Sequence, residues 1–158
     1  MTGKTHIIIG IAAGLWLLAD PLAAGMAGVG ALAPDIDTPH SAASRAGWPF
    51  GAVIRFFVRH HRGITHSALA CALVCAGAYA LARPPALGFA LGYMSHLLAD
   101  MTTKRGLAVL WPSSRVYRLL PARLAIRTGG RLESLIAAAV GCLVVYQLLP
   151  LARTLITR

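Results

Sequence analysis

The sequence predicts an all-α fold: a polytopic membrane helical bundle of about five hydrophobic helices, arranged as two hairpins plus a C-terminal helix, with one interfacial amphipathic helix. Three observations support this prediction. Of 158 residues, 57% are hydrophobic and only 13% are charged, a composition atypical of a soluble domain. The apolar residues fall into five runs. The 15 Lys and Arg residues, against 5 Asp and Glu, lie mostly between those runs, as in membrane proteins. The length suits one domain over 1–158.

The first two apolar runs, 7–19 and 22–33, are short for membrane spans. A 13-residue helix is about 20 Å long, whereas the hydrocarbon core of a bilayer is about 30 Å thick. Between the runs, Asp20 can cap a helix and Pro21 suits a first helical position. The two runs are therefore predicted to form a helical hairpin with its tip at Asp20.

The third and fourth runs, 64–82 and 86–99, meet at Arg83-Pro84-Pro85, which cannot continue a helix. They are predicted to form a second hairpin. The last run, 132–152, supplies the C-terminal helix. Residues 50–60, FGAVIRFFVRH, space basic and aromatic side chains as an interfacial amphipathic helix does.

This order of helices also predicts a membrane topology. The N-terminus, 34–63, 100–131 and the start of the last helix share one side. Twelve of the 15 Lys and Arg residues lie there, and only Arg83, Arg153 and Arg158 lie opposite. The positive-inside rule makes the first side cytoplasmic, in a bacterial-type inner membrane crossed several times.

All histidines and all acidic residues except Asp20 fall on that same side, at helix ends that can converge in a small bundle. They are His6, Asp35, Asp37, His40, His60, His61, His66, His96, Asp100 and Glu133. Convergence of such side chains at one end is how helical bundles build metal sites. Although residues 1–24 resemble a signal peptide, the place of His6 in this set favours retention of that segment.

Two short motifs carry part of this set. His96 and Asp100 are four residues apart and share one face of a helix, where structural hydrogen bonding is the alternative to ligation. Pro34 favours an extended segment in which Asp35 and Asp37 point to one side. Turn and helix-cap duties are the alternative for these two carboxylates.

A third motif is HHRGITHSALA, residues 60–70. His61 and His66 are too far apart for neighbouring turns of one helix, but they can meet if Gly63 bends the chain. The alternative is a helix start that Thr65 caps, with the histidines in solvent. Ionisable groups near a bilayer are expensive and are usually functional, so the three motifs together predict a site for two or three divalent ions. Zinc is favoured, and manganese is the alternative.

The blocks ALAPDIDTPHS, HHRGITHSALA and GYMSHLLADMTTKRGLAVLWP resemble the signature blocks of the membrane-bound metal-dependent hydrolases of the YdjM-like, LexA-regulated type. RTGGRLES resembles a weaker block of that family, and the likeness covers most of the chain. The family is distantly similar to zinc-dependent phospholipase C and P1-type nucleases. The resemblance implies a helical, multinuclear metal site that hydrolyses a phosphoester. Members of the family commonly have a histidine at the position of Thr38. The resemblance therefore implies either that His40 replaces this ligand or that the site here has one ligand fewer.

The residues are assigned to roles as follows. The predicted metal ligands are His6, Asp35, Asp37, His61, His66, His96 and Asp100, with Glu133 and His40 as further candidates. Asp37 and Arg62 are the predicted catalytic residues, and Arg62, Lys104 and Arg105 the predicted binders of substrate phosphate.

A site ringed by cations at the cytoplasmic interface favours an anionic phospholipid or a lipid-linked phosphate as substrate. A phospholipase C or lipid phosphatase activity is the leading expectation. The alternatives are a membrane-tethered nuclease, which the net charge of +10 permits, and a metal-binding or structural membrane protein without catalysis. Nucleic acid is thus a less favoured partner, and the sequence does not define an oligomeric state.

Overall fold

The computed structural model describes residues 1–38 and 63–156, with side chains described as far as residue 149. This part of the chain contains five α-helices, and two short 3₁₀ helices precede α3. The α-helices are α1 (Gly3–Leu18), α2 (Pro21–Gly30), α3 (Ala68–Leu81), α4 (Pro84–Met101) and α5 (Arg131–Ile156), and the 3₁₀ helices are Ala33–Asp37 and Ile64–His66. The described residues form no strand, only two isolated β-bridges between α4 and α5. The all-α prediction is confirmed, while the predicted amphipathic helix at 50–60 lies outside the described residues.

The first helical pair reverses at the predicted tip. Helix α1 ends with Ala19 in the left-handed conformation, at φ 50°. The Asp20 carboxylate then accepts a hydrogen bond from the Ala23 amide at 2.6 Å, and Pro21 occupies the first turn of α2. This is the capping that an Asp-Pro pair favours, since the carboxylate satisfies an amide that has no partner within the helix.

The second pair reverses in the same manner. Ala82 adopts φ 48° after the last residue of α3, and Pro84 opens α4. At the start of α3, the Ser67 hydroxyl accepts a hydrogen bond from the Ala70 amide at 3.1 Å. The cap of α3 is therefore Ser67, and not Thr65 as in the alternative interpretation of this motif.

Helices α2 and α4 lie backbone against backbone. A Cβ atom added at Gly92 would lie 1.9 Å from the Ala27 carbonyl oxygen, and one added at Gly88 would lie 2.0 Å from that of Ala23. Ala23 and Ala27 are both fully buried. Small residues spaced four apart allow this approach, as they do between membrane helices. The two helices run in the same direction, so their C-terminal ends lie together.

Among the described helices, α5 alone is long and apolar enough to cross a membrane, over Arg131–Leu149. Helices α1 and α3 are apolar but shorter. At 16 residues, α1 is about 24 Å long, which is less than the hydrocarbon core of about 30 Å. The structure thus supports one membrane span, and the five-span bundle stays a prediction.

Candidate metal centre

Five of the predicted ligands meet at one end of the helices. Four separate elements deliver them: His6 from α1, Asp35 from the first 3₁₀ helix, His66 from the second, and His96 and Asp100 from α4. The three imidazoles and Asp100 are almost completely buried, whereas the Asp35 side chain is 23% exposed. We call these five residues the histidine–aspartate cluster.

Asp35, His66 and His96 form the first of two potential ligand groups. The Nε2 atoms of His66 and His96 lie 3.3 Å apart. Asp35 Oδ1 lies 3.5 Å from the first of these nitrogens and 3.9 Å from the second. Donor atoms bound to one tetrahedral zinc ion at about 2.0–2.1 Å lie about 3.3 Å from one another. The triangle is therefore close to the size that a zinc ion requires.

The hydrogen bonds around the two imidazoles decide where their protons lie. His96 Nδ1 is 2.7 Å from the Ala31 carbonyl oxygen, to which only a protonated nitrogen can donate. The Thr65 hydroxyl donates to Asp37 at 2.8 Å, so it accepts from His66 Nδ1 at 3.2 Å. In their neutral forms, both imidazoles consequently present an Nε2 lone pair to the other.

Three electron-rich atoms thus face one another, since Asp35 adds a carboxylate oxygen to the two Nε2 atoms. Such an arrangement is repulsive unless a proton or a metal cation lies among them. Burial raises the pKa of Asp35, but its contacts with His66, His96 and His6 outweigh this effect and hold the pKa below its ordinary value. Neutral imidazoles and an ionised carboxylate are the forms that bind zinc, so the donor set fits a divalent ion.

His6, His96 and Asp100 form the second group. His6 Nε2 lies 3.3 Å from Asp100 Oδ1, and the His6 and His96 rings stack with centroids 3.7 Å apart and an interplanar angle of 15°. The N-terminal ammonium group of Met1 also pairs with Asp100. Because the Nδ1 of His96 is held by Ala31, its single remaining nitrogen can serve one ion, which makes the two groups compete for it.

Asp37 does not join either group of described ligands. Its carboxylate accepts from the Thr65 hydroxyl at 2.8 Å and from the Thr38 hydroxyl at 3.3 Å. The prediction of an extended segment is wrong, because Ala33–Asp37 is a 3₁₀ helix, in which residues two apart point in different directions. The structure therefore places Asp35 in the cluster and Asp37 beside Thr65, where it helps to orient His66.

Glu133, a further candidate ligand, instead accepts hydrogen bonds that join two helices. One carboxylate oxygen accepts from the Thr2 amide at 2.6 Å and from the Thr5 hydroxyl at 2.7 Å. The other accepts from the Gly129 amide at 2.8 Å. These bonds join the start of α5 to the start of α1 and leave Glu133 outside both ligand groups, so the geometry does not support it as a ligand.

The predicted phosphate-binding residues separate in the structure. Lys104 and Arg105 are both exposed but line different depressions. Arg105 lies in one of about 460 Å³ beside Gly63, Trp111 and Ser113, which borders the 3₁₀ helix that carries His66. Lys104 lies in another, near the start of α5. The predicted roles of His40, His61 and Arg62 fall on residues outside those described.

Sequence reasoning missed two groups that orient the cluster. The Ala31 carbonyl accepts a hydrogen bond from His96. Because every residue has a backbone carbonyl, the sequence does not indicate which one will act in this way. Tyr93 donates its phenolic hydrogen to the Thr65 carbonyl and so fixes the turn that presents His66. The only signal for Tyr93 was its position three residues before His96, on the same face of α4.

These features define a class of protein: a helical protein that has, within its described residues, one apolar helix long enough to span a membrane and a buried histidine–aspartate cluster at one end of the helices. The family model described as "YdjM inner membrane protein" matches residues 1–155. The chain belongs to that family, and this confirms the expected YdjM-like relationship and the inner membrane as its location. The matched descriptions name no hydrolase, phospholipase C or P1 nuclease, so that part of the resemblance stays a prediction.

Individual relatives agree with the family assignment. The chain is 38% identical over 117 residues to inner membrane protein YdjM of Escherichia coli (strain K12), a match that covers 69% of this chain and 58% of the relative. The match to YdjM of Shigella flexneri has the same values. Protein YvsG of Bacillus subtilis (strain 168) is 35% identical over 147 residues, 89% of each chain. The chain thus spans a little over half the length of the YdjM relatives, and no solved structure matches it.

Proposed function

We propose that this protein is a membrane-bound metal-dependent hydrolase that acts on the phosphoester of an anionic lipid or a lipid-linked phosphate at the cytoplasmic face. One observation carries the proposal: the Nε2 atoms of His66 and His96 and the Oδ1 atom of Asp35 lie 3.3 to 3.9 Å from one another. A divalent ion is the ordinary partner of such a donor set.

The residues around the cluster have distinct tasks in this proposal. Asp35, His66 and His96 hold the ion, while Thr65 and the Ala31 carbonyl fix the orientation of the two imidazoles, as partners of ligating histidines generally do. A bound divalent ion supplies Lewis-acid chemistry, which polarises a phosphoryl oxygen and activates water. Asp35 is the cluster member that reaches solvent, so substrate approaches from its side.

Arg105 supports a phosphorylated substrate. Its depression borders the helix of His66 and also contains Trp111 and Ser113. A guanidinium group binds two phosphate oxygens at once. Trp111 is 46% exposed, and a tryptophan at a membrane interface places its ring at the level of the headgroups. This combination favours a lipid phosphate over a freely diffusing one.

The first experiment measures metal. Protein purified in detergent is incubated with zinc or manganese, desalted, and assayed for bound metal by elemental analysis. Wild type should retain at least one ion per chain, and His66→Ala and Asp35→Asn should lose it. Asp20→Asn is the matched control, because it removes a carboxylate at the tip of the first helical pair and asparagine can still cap α2. A metal-free wild type, or equal retention by all variants, contradicts the proposal.

The second experiment measures turnover. Metal-loaded protein is reconstituted in vesicles of phosphatidylglycerol or phosphatidylcholine, and the release of phosphate and of headgroup is followed, with single-stranded DNA as a parallel substrate. Release from the anionic vesicles that disappears in His66→Ala supports the lipid hydrolase. Cleavage of DNA instead of lipid supports the nuclease alternative.

A second candidate function is metal binding without catalysis. The specific observation that favours it is burial: His66 and His96 are 0% exposed, and His6 and Asp100 are 1% exposed. Closed sites of this kind are typical of structural metals, whereas catalytic sites keep a position for water or substrate. Stoichiometric metal with no turnover on any of the substrates above would select this candidate.

A further inference from the structure

A basic depression lies apart from the histidine–aspartate cluster, where the segment after α4 meets the start of α5. It has a volume of about 720 Å³. Four of the residues that line it are cationic and none is acidic: Lys104, Arg123, Arg127 and Arg131. No member of the cluster lines it. The whole stretch 101–132 contains seven Lys and Arg residues and no Asp or Glu.

The depression is built by specific contacts. The Lys104 amide donates to the Ile126 carbonyl at 2.9 Å, and the Ile126 amide donates to the Thr102 carbonyl at 3.0 Å. These bonds bring the segment of Lys104 beside the segment of Arg123 and Arg127. Gly129 turns the chain towards α5 at φ 73°. Four like charges therefore lie around one depression, an arrangement that attracts an anion.

Glu133 is the nearest acid along the chain, and its carboxylate is bound by groups other than these cations. Its two oxygens accept from Thr2, Thr5 and Gly129, and its side chain is buried. Through its bond to the Gly129 amide, Glu133 therefore fixes the backbone on one side of the depression.

The surroundings favour a membrane lipid over other anions. Arg131 is the first residue of Arg131–Leu149, the described helix that is apolar enough to cross a membrane. Leu124 and Leu132 line the same depression and are 65% and 53% exposed. Exposed leucines beside cations suit the boundary between headgroups and acyl chains. Nucleic acid would use the cations but would leave the leucines in water.

We infer that this depression binds the phosphate headgroup of an anionic phospholipid and so seats the start of α5 in the anionic leaflet. The bound lipid is retained and is not hydrolysed there. The inference does not rest on the proposed hydrolase activity, because no residue of the histidine–aspartate cluster takes part.

The test compares two charge-matched variants of the full chain. Arg123→Gln with Arg127→Gln removes two cations from the depression. Arg83→Gln with Arg115→Gln removes two cations elsewhere, one at the turn before α4 and one over the Tyr117 ring. All four residues are exposed, so both variants should fold. Unfolding curves that match wild type verify this.

Each protein is placed in phosphatidylcholine nanodiscs that contain added phosphatidylglycerol, with a chelator present so that metal chemistry cannot contribute. Native mass spectrometry after release from the nanodisc counts the retained phosphatidylglycerol. Each cation near an anionic surface contributes about a factor of five in binding, so the depression variant should bind about 30-fold more weakly. The control variant should change by less than about threefold.

Two outcomes overturn the inference. Equal losses in both variants would mean that diffuse positive charge, and not this depression, attracts the lipid. In a parallel arm, single-stranded DNA that displaces phosphatidylglycerol from wild type and fails to bind the depression variant would assign the surface to nucleic acid. Because a chelator is present throughout, neither outcome depends on whether the cluster hydrolyses a phosphoester.

Discussion

The contact between α2 and α4 leads to a prediction about Gly92→Ala. The new Cβ would lie 1.9 Å from the Ala27 carbonyl oxygen and 2.6 Å from its carbon, against at least 3.4 Å for an ordinary contact. The helices must therefore separate by about 1.5 Å, the difference between 1.9 and 3.4 Å. Because backbone atoms cannot rotate away, we expect an overpacking cost of about 3 kcal/mol. The better helix propensity of alanine offsets about 1 kcal/mol of it.

The assay is equilibrium unfolding in detergent, followed by circular dichroism at 222 nm. Gly77→Ala in α3 is the matched control, because a Cβ atom there has no neighbour within 4 Å. It should raise the free energy of unfolding by up to about 1 kcal/mol, whereas Gly92→Ala should lower it by about 2 kcal/mol. Equal shifts in the same direction would refute the close approach of the two helices.

Gly92→Ala should also change the geometry of the histidine–aspartate cluster. His96 lies one turn beyond Gly92 and is held by the Ala31 carbonyl at the end of α2. A separation of α2 and α4 would lengthen that bond. Loss of an orienting partner typically weakens metal binding about 10- to 100-fold. Gly92→Ala should therefore bind zinc at least about tenfold more weakly than Gly77→Ala. Unchanged zinc affinity would show that Ala31 does not orient His96.

Three further predictions concern single side chains, each measured by the same unfolding assay. Asp20→Ala should cost about 1 kcal/mol and Asp20→Asn much less, because Asn can still cap α2; equal costs would rule out a capping role. Tyr93→Phe should cost about 1 kcal/mol through the lost bond to the Thr65 carbonyl and should also weaken zinc binding, an effect that a purely packing role would not produce. Glu133→Ala should cost about 3 kcal/mol, because it leaves several buried donors without their acceptor; a cost below about 1 kcal/mol would mean that water replaces the carboxylate.

The helix order could be predicted because its signals are local. Asp20-Pro21 and Arg83-Pro84-Pro85 interrupt the apolar runs with residues whose capping and backbone constraints act within a few positions. Once the order was known, alternating helix direction was enough to predict that His6, His66, His96 and Asp100 lie at one end. The structure brings those four together.

The remaining differences depend on contacts distant in sequence or on backbone detail. Glu133 was placed at the correct end of the bundle, but its partners Thr2 and Thr5 lie about 130 residues away and no local pattern indicates them. The different positions of Asp35 and Asp37 could not be predicted from the sequence. An extended segment and a 3₁₀ helix point the second carboxylate in different directions, and the sequence did not distinguish between them. The spacing of Gly88 and Gly92 did contain a packing signal that sequence reasoning overlooked.

The close packing of small residues between α2 and α4 and the chemistry of the histidine–aspartate cluster depend on the same backbone contact. Buried ionisable groups weaken a fold unless they are paired, and the cluster gathers two carboxylates and three imidazoles with little access to water. The backbone contact of α2 with α4 holds Ala31 against His96, so the imidazole keeps its Nε2 atom facing His66 and Asp35. A divalent ion bound to this preorganised donor set would stabilise the fold further, which would couple metal binding to folding. Divalent metal and the close helix packing should therefore depend on each other in this protein.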